Sequence, residues 1–313
     1  MRRAKLISRT SAVITVILLL AGGGFTSRAP ASPFVSPEKP ASAIDLLRTA
    51  VANEVATAND TSIKHMFRSR RQTPQGSQTR LYVETNEAMA GMTIAYNDKP
   101  LTPEQLRGEE NHLAGLLHNP EQLKHKHSQE QENAERTLRI VKDLPEAFLY
   151  DFAPEEESAA ESGGNGVRLL RLKFRPNPAY RPPSRVEQVL EGMRGIVAID
   201  PELHRIANID GTLFKEVSFG WGILGHLDKG GHFFVEQHDV GEGCLEISRM
   251  TLSFTGKVLL FKSISIKSDE ILSDFRRVPA NTTFAQGVKM LEAEQAKLAQ
   301  SNAAVTKTEN RPH

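Results

Sequence analysis

The residues best suited to chemistry lie in a glycine-rich stretch, residues 219–231, which also holds the single tryptophan of the chain. Glycines let a backbone or a ligand approach closely, so this stretch could form the rim of a binding site. The candidate rim residues are Trp221, Leu224, His226, Asp228 and Lys229. The alternative, a connection with a short helical turn that places Trp221 in the core, is the interpretation favoured here. Without the Gly-Lys-Ser/Thr ending of a phosphate-binding loop, the stretch does not predict nucleotide binding.

Histidines and acids around the same stretch could suggest a metal site. The residues concerned are His226, Asp228, His232, His238 and Asp239. Their spacing matches no HExxH-type helical pair. On a strand, His232 and His238 would lie about 20 Å apart, at roughly 3.3 Å per residue. The sequence therefore predicts no metal site and no cofactor.

The sequence pattern predicts no catalytic residues. The one cysteine, Cys244, begins an apolar strand, where a buried and inert thiol is expected. It also excludes an intramolecular disulfide, and no GxSxG elbow exists. Glu236, Glu242 and Glu246 could be drawn as an acid–base pair, but carboxylates on half-exposed strands are usually solvated.

A cationic stripe is the last feature that could bind something. One predicted strand alternates apolar and basic residues in the order Leu170, Arg171, Leu172, Lys173, Phe174 and Arg175. Because side chains alternate across a strand, one face is apolar and the other is cationic. The cationic face could meet lipid head groups or an acidic partner, and a solvated outer face of a sheet explains it equally well.

Composition limits the classes of function. The 313 residues hold 39 Lys and Arg against 38 Asp and Glu, a formal net charge of +1. This balance argues against a protein that binds nucleic acid electrostatically, since such domains are clearly basic. An apolar fraction of 39% is ordinary for a globular protein with a sizeable core.

Residues 1–31 have the pattern of a secretory signal peptide. A basic start precedes an apolar run and the small-residue pattern Ala29-Pro30-Ala31, which predicts cleavage before Ser32. The apolar run is too short to cross a hydrocarbon core of about 30 Å as a helix. The Arg2-Arg3 pair resembles a twin-arginine signal, but Lys5 departs from that pattern and general secretion is favoured. We therefore predict a periplasmic or secreted protein that does not span the membrane.

Export would change the charge of the protein. Residues 1–31 hold five basic residues and no acid, so their removal leaves 34 basic and 38 acidic residues, a net charge of −4. We therefore do not expect the whole surface to attract anionic lipid or nucleic acid.

The remaining chain predicts a flexible leader over residues 32–41, one domain over 42–299 and a disordered tail over 300–313. Ser42 with Asp45 predicts the start of a first helix, and residues 284–291 carry the pattern of a closing one. Between them, residues 102–144 predict a helical insertion with two capped starts. Residues 124–133 of this insertion contain no apolar side chain, which predicts a solvated and mobile segment.

Alternating apolar residues predict about eleven strands. They cover residues 65–71, 78–85, 89–96, 148–152, 167–175, 193–199, 205–213, 232–238, 244–254, 257–267 and 270–277. A slip in the apolar phase predicts a β-bulge near Ser248. The pattern predicts an α+β fold: one curved antiparallel sheet, a half-open barrel, with the helical insertion as a lid and a helix at each end.

Several strings resemble an uncharacterised family of exported bacterial proteins, over nearly the whole chain after residue 31. They are QTRLYVET at 78–85, PLTPEQ at 100–105, LLRLKFRPNP at 169–178, GWGILGHLDKGG at 220–231 and FKSISIK at 261–267. That resemblance implies no activity. The order of elements also resembles the Lol-type outer-membrane lipoprotein carriers, which implies a half-barrel that closes around acyl chains under a helical lid.

Three functional hypotheses follow. The first is an exported, non-enzymatic protein that binds or carries an apolar ligand, a lipid or acyl chain, on the concave side of the sheet. The second is a cell-envelope scaffold or interaction protein with a filled interior and a protein partner. The third is a hydrolase. An apolar cavity separates the first two hypotheses, and converging polar groups inside it would favour the third.

Overall fold

The computed structural model describes residues 42–154, 168–219, 224–241, 243–258 and 262–309. The predicted signal peptide, the Ser32 start and the leader lie outside the described residues, and so do Trp221 and Glu242. Within the described ranges, no helix is both long and apolar enough to cross a membrane.

The helices begin where capping residues predict. Their bounds are α1 Ala43–Asn59, α2 Pro103–His118, α3 Pro120–Ala147, a 3₁₀-helix Glu187–Gly192 and α4 Phe284–Glu309. The Ser42 hydroxyl accepts a hydrogen bond from the Asp45 N–H at 3.3 Å. Thr102 and Gln105 form a complete capping box at the start of α2.

Two helices extend beyond their predicted ends. Helix α3 continues through Pro145 to Ala147, although the sequence places its end at residue 144. A proline in the last turn removes only one backbone hydrogen bond, and Asn177 N–H caps the Ala147 carbonyl at 2.9 Å. Helix α4 continues to Glu309, past residue 299. Extending an existing helix needs no new nucleation.

The strands form one antiparallel sheet, as predicted. Their bounds are β1 Lys64–Thr73, β2 Gly76–Val83, β3 Ala90–Tyr96, β4 Lys99–Pro100, β5 Phe148–Phe152, β6 Leu170–Pro176, β7 Met193–Asp200, β8 Arg205–Leu213, β9 Val217–Phe219, β10 Gly225–Leu227, β11 His232–Asp239, β12 Leu245–Val258 and β13 Lys262–Val278. The strand order is β4-β3-β2-β1-β13-β12-β11-β8-β7-β6-β5, with β9 and β10 beside β12. The sheet is not closed into a barrel, because the described strands β4 and β5 end this order without pairing with each other.

The predicted bulge is confirmed, and one predicted strand break is wrong. Glu236 pairs with Arg249 and Gln237 pairs with Ile247, which leaves Ser248 as the extra residue of β12. The sequence predicts a break at residues 255–256, but Gly256 lies inside β12. A Cβ there would lie 2.1 Å from the His226 carbonyl oxygen, so this glycine permits close approach of β10. Similarly, the predicted strands over 257–267 and 270–277 are replaced by β13, which runs unbroken through residue 268.

The sheet has two covered faces. We call the inner face the one against which α1, α3 and the 3₁₀-helix pack. There α1 packs on Leu172 and Val197, while Ile140 and Leu144 of α3 pack against the cluster around Leu252. On the opposite, outer face, α2 and α4 cover β1–β3, with a core that includes Leu81, Met92, Leu113, Phe284 and Leu291.

Helix α3 joins the two ends of the sheet. It follows α2, which packs beside β3, and it leads directly into β5 at the other edge. Near its start Leu123 packs with the outer-face core, and near its end Ala147 is fully buried in the inner-face core. The helical insertion therefore connects the two edges of the sheet, with α2 beside β3 and the end of α3 beside β5.

Candidate functional site

One row of side chains crosses the inner face of the sheet. Residues paired across neighbouring strands share a face, so the register defines this row. It runs through Leu172, Val197, Ile209, Val235, Met250, Glu270, Arg71 and Gln78. The row is aliphatic from β6 to β12 and becomes charged at β13 and β1. The inner face is thus amphipathic along its width.

The aliphatic part of the row is incompletely covered. Leu172, Val197 and Met250 are fully buried, but Ile209 and Val235 stay partly exposed although they point toward the inner side. Phe233, in the neighbouring row, is likewise partly exposed, and it packs against the same cluster. Partly exposed carbon beside a buried core is the surface that an apolar ligand would cover.

The charged end of the row holds a buried carboxylate between two arginines. Glu270 is 2% exposed, and its Oε1 accepts a hydrogen bond from the Ser69 hydroxyl at 2.5 Å. Its other carboxylate oxygen, Oε2, has no hydrogen-bond partner among the described residues. The Nε atoms of the half-buried Arg71 and Arg80 are likewise buried and without a described partner. Such groups are unusual, because buried polar atoms in proteins are normally paired.

Burial determines the electrostatics of this end. Loss of solvation raises the pKa of Glu270, against the opposing effects of the Ser69 hydrogen bond and of the two guanidinium groups of Arg71 and Arg80. Burial likewise raises the pKa of the neighbouring Tyr82. The site therefore carries two permanent positive charges and a carboxyl group whose ionised form is disfavoured. Its local balance is cationic.

Tyr82 and Arg80 are held together by a close approach of two strands. The Arg80 guanidinium carbon lies 5.2 Å from the centre of the Tyr82 ring, which is the geometry of a cation–π contact. Gly91 of β3 lies opposite Tyr82. A Cβ on Gly91 would lie 2.7 Å from the tyrosine ring, so only glycine leaves room for this arrangement.

Helix α3 reaches the charged end through a polar contact. Glu130 Oε2 accepts a hydrogen bond from the Met89 N–H at 3.0 Å, and Glu130 Oε1 pairs with Lys126 at 2.6 Å. Residues 124–133, which the sequence predicts to be solvated, are thus attached to the sheet without apolar side chains. Their predicted mobility stays a prediction.

The predicted rim residues that the structure describes have different surroundings. Trp221 lies outside the described residues, while Leu224 is partly buried against the inner-face core. His226 and Asp228 pair with each other at 3.3 Å, and Asp228 also accepts a hydrogen bond from Thr255 at 2.6 Å. Lys229 is exposed. Two short strands, β9 and β10, flank residues 220–223 and pair with each other. The helical turn predicted around Trp221 lies outside the described residues.

Two of the histidines that the sequence considers for a metal site have different partners. His232 pairs with Asp210 at 2.9 Å, and His238 contacts the Ser248 hydroxyl at 2.9 Å. Glu246, by contrast, is wrongly predicted to be solvated, since it is 9% exposed. It lies beside Cys244, whose predicted burial is confirmed.

The cationic stripe lies on the outer face, with Lys173 and Arg175 exposed while Leu172 and Phe174 are buried. This confirms the predicted strand faces; Arg171 is half-buried. Lys173 is directly opposite Asp151 of β5, and the Arg175 guanidinium lies 3.8 Å from the same carboxylate. The stripe is therefore partly neutralised by its own sheet.

An open pocket of about 470 Å³ lies elsewhere, between β1, β13 and α4. Its rim carries two ion pairs, with Arg68 Nε 3.2 Å from Asp274 and Arg276 3.0 Å from Glu294. Each of these arginines has an acidic partner within ion-pair distance, so the pocket has less unbalanced positive charge for a ligand than the charged end of the inner face has.

Sequence reasoning missed Arg71, Arg80 and Glu270. A charged residue on an alternating strand is assigned to a solvated face by default. The signal that could find these three is the apolar residues on the same face of the same strands, Phe67, Tyr82 and Leu272, which pack together. That packing depends on strand pairing between distant parts of the chain.

Comparison with known proteins adds no function to this geometry. No family model matches the chain, and neither a curated protein nor a solved structure matches it. The resemblances to an exported bacterial family and to Lol-type carriers therefore stay predictions.

Proposed function

We propose that the protein binds an amphipathic ligand of the lipid class on the inner face of its sheet. The acyl chain would lie against the aliphatic half of the face, near Ile209, Phe233 and Val235. The head group would be anionic and would lie at Arg71 and Arg80. The observation that carries the proposal is the single cross-strand row that changes from aliphatic to charged.

An anionic head fits the charged end better than a neutral one. Guanidinium groups bind carboxylate and phosphate through paired, charge-assisted hydrogen bonds. Both Nε donors are buried and have no hydrogen-bond partner among the described residues. Burial raises the pKa of the neighbouring Glu270, which disfavours its negative charge beside the two arginines. A ligand carboxylate or phosphate would supply the missing acceptors.

A saturable binding assay tests the proposal. A fluorescently labelled long-chain fatty acid is titrated into the purified protein and then displaced by unlabelled competitors. We expect an unlabelled fatty acid to compete at least about tenfold better than the fatty alcohol of equal chain length, since a hydrogen bond to a charged group contributes about 1.5–3 kcal/mol. The alcohol keeps the chain and removes only the charge.

Variants assign this preference to the inner face. In the double variant Arg71→Gln, Arg80→Gln the acid and the alcohol should compete equally. Arg249→Gln is the matched control, because Arg249 lies on the outer face and pairs with Asp269 at 3.1 Å. Absence of saturable binding, or an acid preference unchanged in the double variant, would contradict the proposal and favour the scaffold hypothesis.

Export by the segment over residues 1–31 is part of the same proposal, because a lipid carrier of this type works in the cell envelope. Intact-mass measurement of the protein recovered from its native host tests it. We expect a chain that begins at Ser32. A recovered chain that retains residues 1–31 would remove the proposed location.

A further inference from the structure

A second group of side chains with binding chemistry lies at the start of β1 and of β12. His65, Cys244 and Glu246 offer an imidazole nitrogen, a thiol sulfur and a carboxylate oxygen, all within 4.8 Å of one another. The three residues are buried. His65 and Cys244 are far apart in the sequence, so the group forms only when the sheet pairs.

The histidine provides an independent sign that something is bound there. His65 is 2% exposed, and its Nδ1 has no hydrogen-bond partner among the described residues. The Glu246 Oε1 atom lies 3.3 Å from Nδ1, which is an ion-pair distance, but this contact lacks the geometry of a hydrogen bond. His65 Nδ1 therefore lies beside Glu246, and its capacity for a hydrogen bond or a metal bond is unused by the described residues.

Two of the three distances between the donors agree with a tetrahedral ion, and the third is within 4.8 Å. With Zn–N and Zn–O bonds of about 2.0–2.1 Å and Zn–S bonds of about 2.3 Å, a tetrahedron places N and O about 3.4 Å apart and S and O about 3.6 Å apart. The structure has 3.3 Å between His65 Nδ1 and Glu246 Oε1. It has 3.7 Å between Cys244 Sγ and the same oxygen.

The donor types decide which ion would bind. A thiolate and an imidazole favour a transition metal such as Zn²⁺, whereas Mg²⁺ and Ca²⁺ take oxygen donors. The other group with metal-binding spacing, Glu216, His226 and Asp228, is more exposed and lacks sulfur. Its histidine and aspartate already pair at 3.3 Å.

We propose that His65, Cys244 and Glu246 bind one Zn²⁺ ion, or a similar divalent transition metal, in a buried tetrahedral site. The three side chains supply three ligands, and water or another donor supplies the fourth. The ion would join β1 to β12, and Cys244 would act as a thiolate ligand. This inference does not depend on the lipid proposal.

Cobalt substitution tests the site, because Co²⁺ occupies tetrahedral zinc sites and reports a thiolate ligand by a charge-transfer band in the near ultraviolet. Purified protein is freed of metal with a chelator and titrated with Co²⁺ alone. We expect a band that saturates at one equivalent and disappears when Zn²⁺ is added. Failure of the wild-type protein to show the band at saturating Co²⁺ would overturn the proposal.

Variants identify the ligands. Cys244→Ser should remove the band, and His65→Gln should weaken Co²⁺ binding at least about tenfold, since even outer-shell partners of a metal contribute that much. His226→Gln, in the exposed group, is the matched control and should keep both the band and the affinity. Circular dichroism verifies that each variant is folded. If a variant unfolds, the wild-type spectrum decides whether Cys244 binds the metal. The chain has one cysteine, so a thiolate-to-cobalt band can come only from that residue.

Discussion

The inner face of the sheet has two halves that share one strand register but bury different kinds of side chain. From β6 to β12 the row buries carbon, so Leu172 and Met250 are stabilised by packing alone. At β13 and β1 the same row holds the buried Glu270 and the half-buried Arg71. Glu270 Oε2 and Arg71 Nε are buried atoms without a hydrogen-bond partner among the described residues. Burying a charge without a full set of partners destabilises a fold.

This difference indicates what each half is for. Hydrophobic side chains at the charged end would pack as well and would avoid the cost of desolvating charged groups. Places where a sequence departs from the rules of stability are expected at functional sites. We infer that the buried side chains of the aliphatic half maintain the fold, and that the charged half is retained for the head group of a ligand.

The aliphatic half should tolerate no charge. Leu172→Asp places a carboxylate in a fully buried position against α1, where loss of packing and unpaired burial should destabilise the protein by about 4 kcal/mol or more. Lys173→Glu, one residue along on the outer face, should cost less than about 1 kcal/mol, even though it lies opposite Asp151. Urea unfolding measures both values. The reverse ranking would mean that β6 has the opposite register.

The charged half should gain stability when its charge is removed. Because the folded state raises the pKa of Glu270, the carboxyl group favours folding below its unfolded pKa, and this contribution is lost as the pH rises through the folded pKa. Glu270→Gln keeps the acceptor for Ser69 and should stabilise the protein by about 1 kcal/mol at neutral pH. The gain should vanish as the pH falls toward 4.5, the ordinary pKa of a glutamate side chain.

Thermal unfolding of the two proteins across this pH range measures the effect. Destabilisation of Glu270→Gln at neutral pH would show that the ionised carboxylate and the arginines stabilise one another. The charged half would then be an ordinary ion-pair network, and the contrast between the two halves would be lost.

The smallest effect concerns the helix over the charged half. Glu130→Ala removes the acceptor of the Met89 N–H, so residues 124–133 should exchange their amide hydrogens about fivefold faster, as loss of about 1 kcal/mol implies. Glu132→Ala is the control, because Glu132 is exposed and pairs with Arg136 on the next turn of the same helix. Equal exchange in both variants would mean that another contact holds this segment.

Much of the fold could be predicted from local patterns. The capping pairs at Ser42 and Thr102 predict helix starts, and the phase slip at Ser248 predicts the bulge, because these signals involve neighbours in sequence. The strands β9 and β10 have only three residues each, too few to show alternation. Gly256 is read as a turn residue from the sequence. Glycine is needed there because β10, which is distant in sequence, lies too close for a Cβ atom.

The candidate site could not be predicted in the same way. Arg71 and Glu270 meet because β1, near the start of the domain, pairs with β13, near its end. A charged residue on an alternating strand predicts a solvated face unless a helix covers it, and α3 reaches this face from another part of the chain. The same reason hides the contact between His65 and Glu246.

Lipid analysis of the protein as its native host makes it tests the central claim most directly. Organic extracts of the purified wild-type protein, the double variant Arg71→Gln, Arg80→Gln and the control Arg249→Gln are compared by mass spectrometry. We predict about one anionic amphipathic lipid per chain in the wild-type and control proteins, and a loss of at least about tenfold in the double variant. Wild-type protein without bound lipid, or equal lipid in all three proteins, would contradict the assignment of the charged half to a ligand.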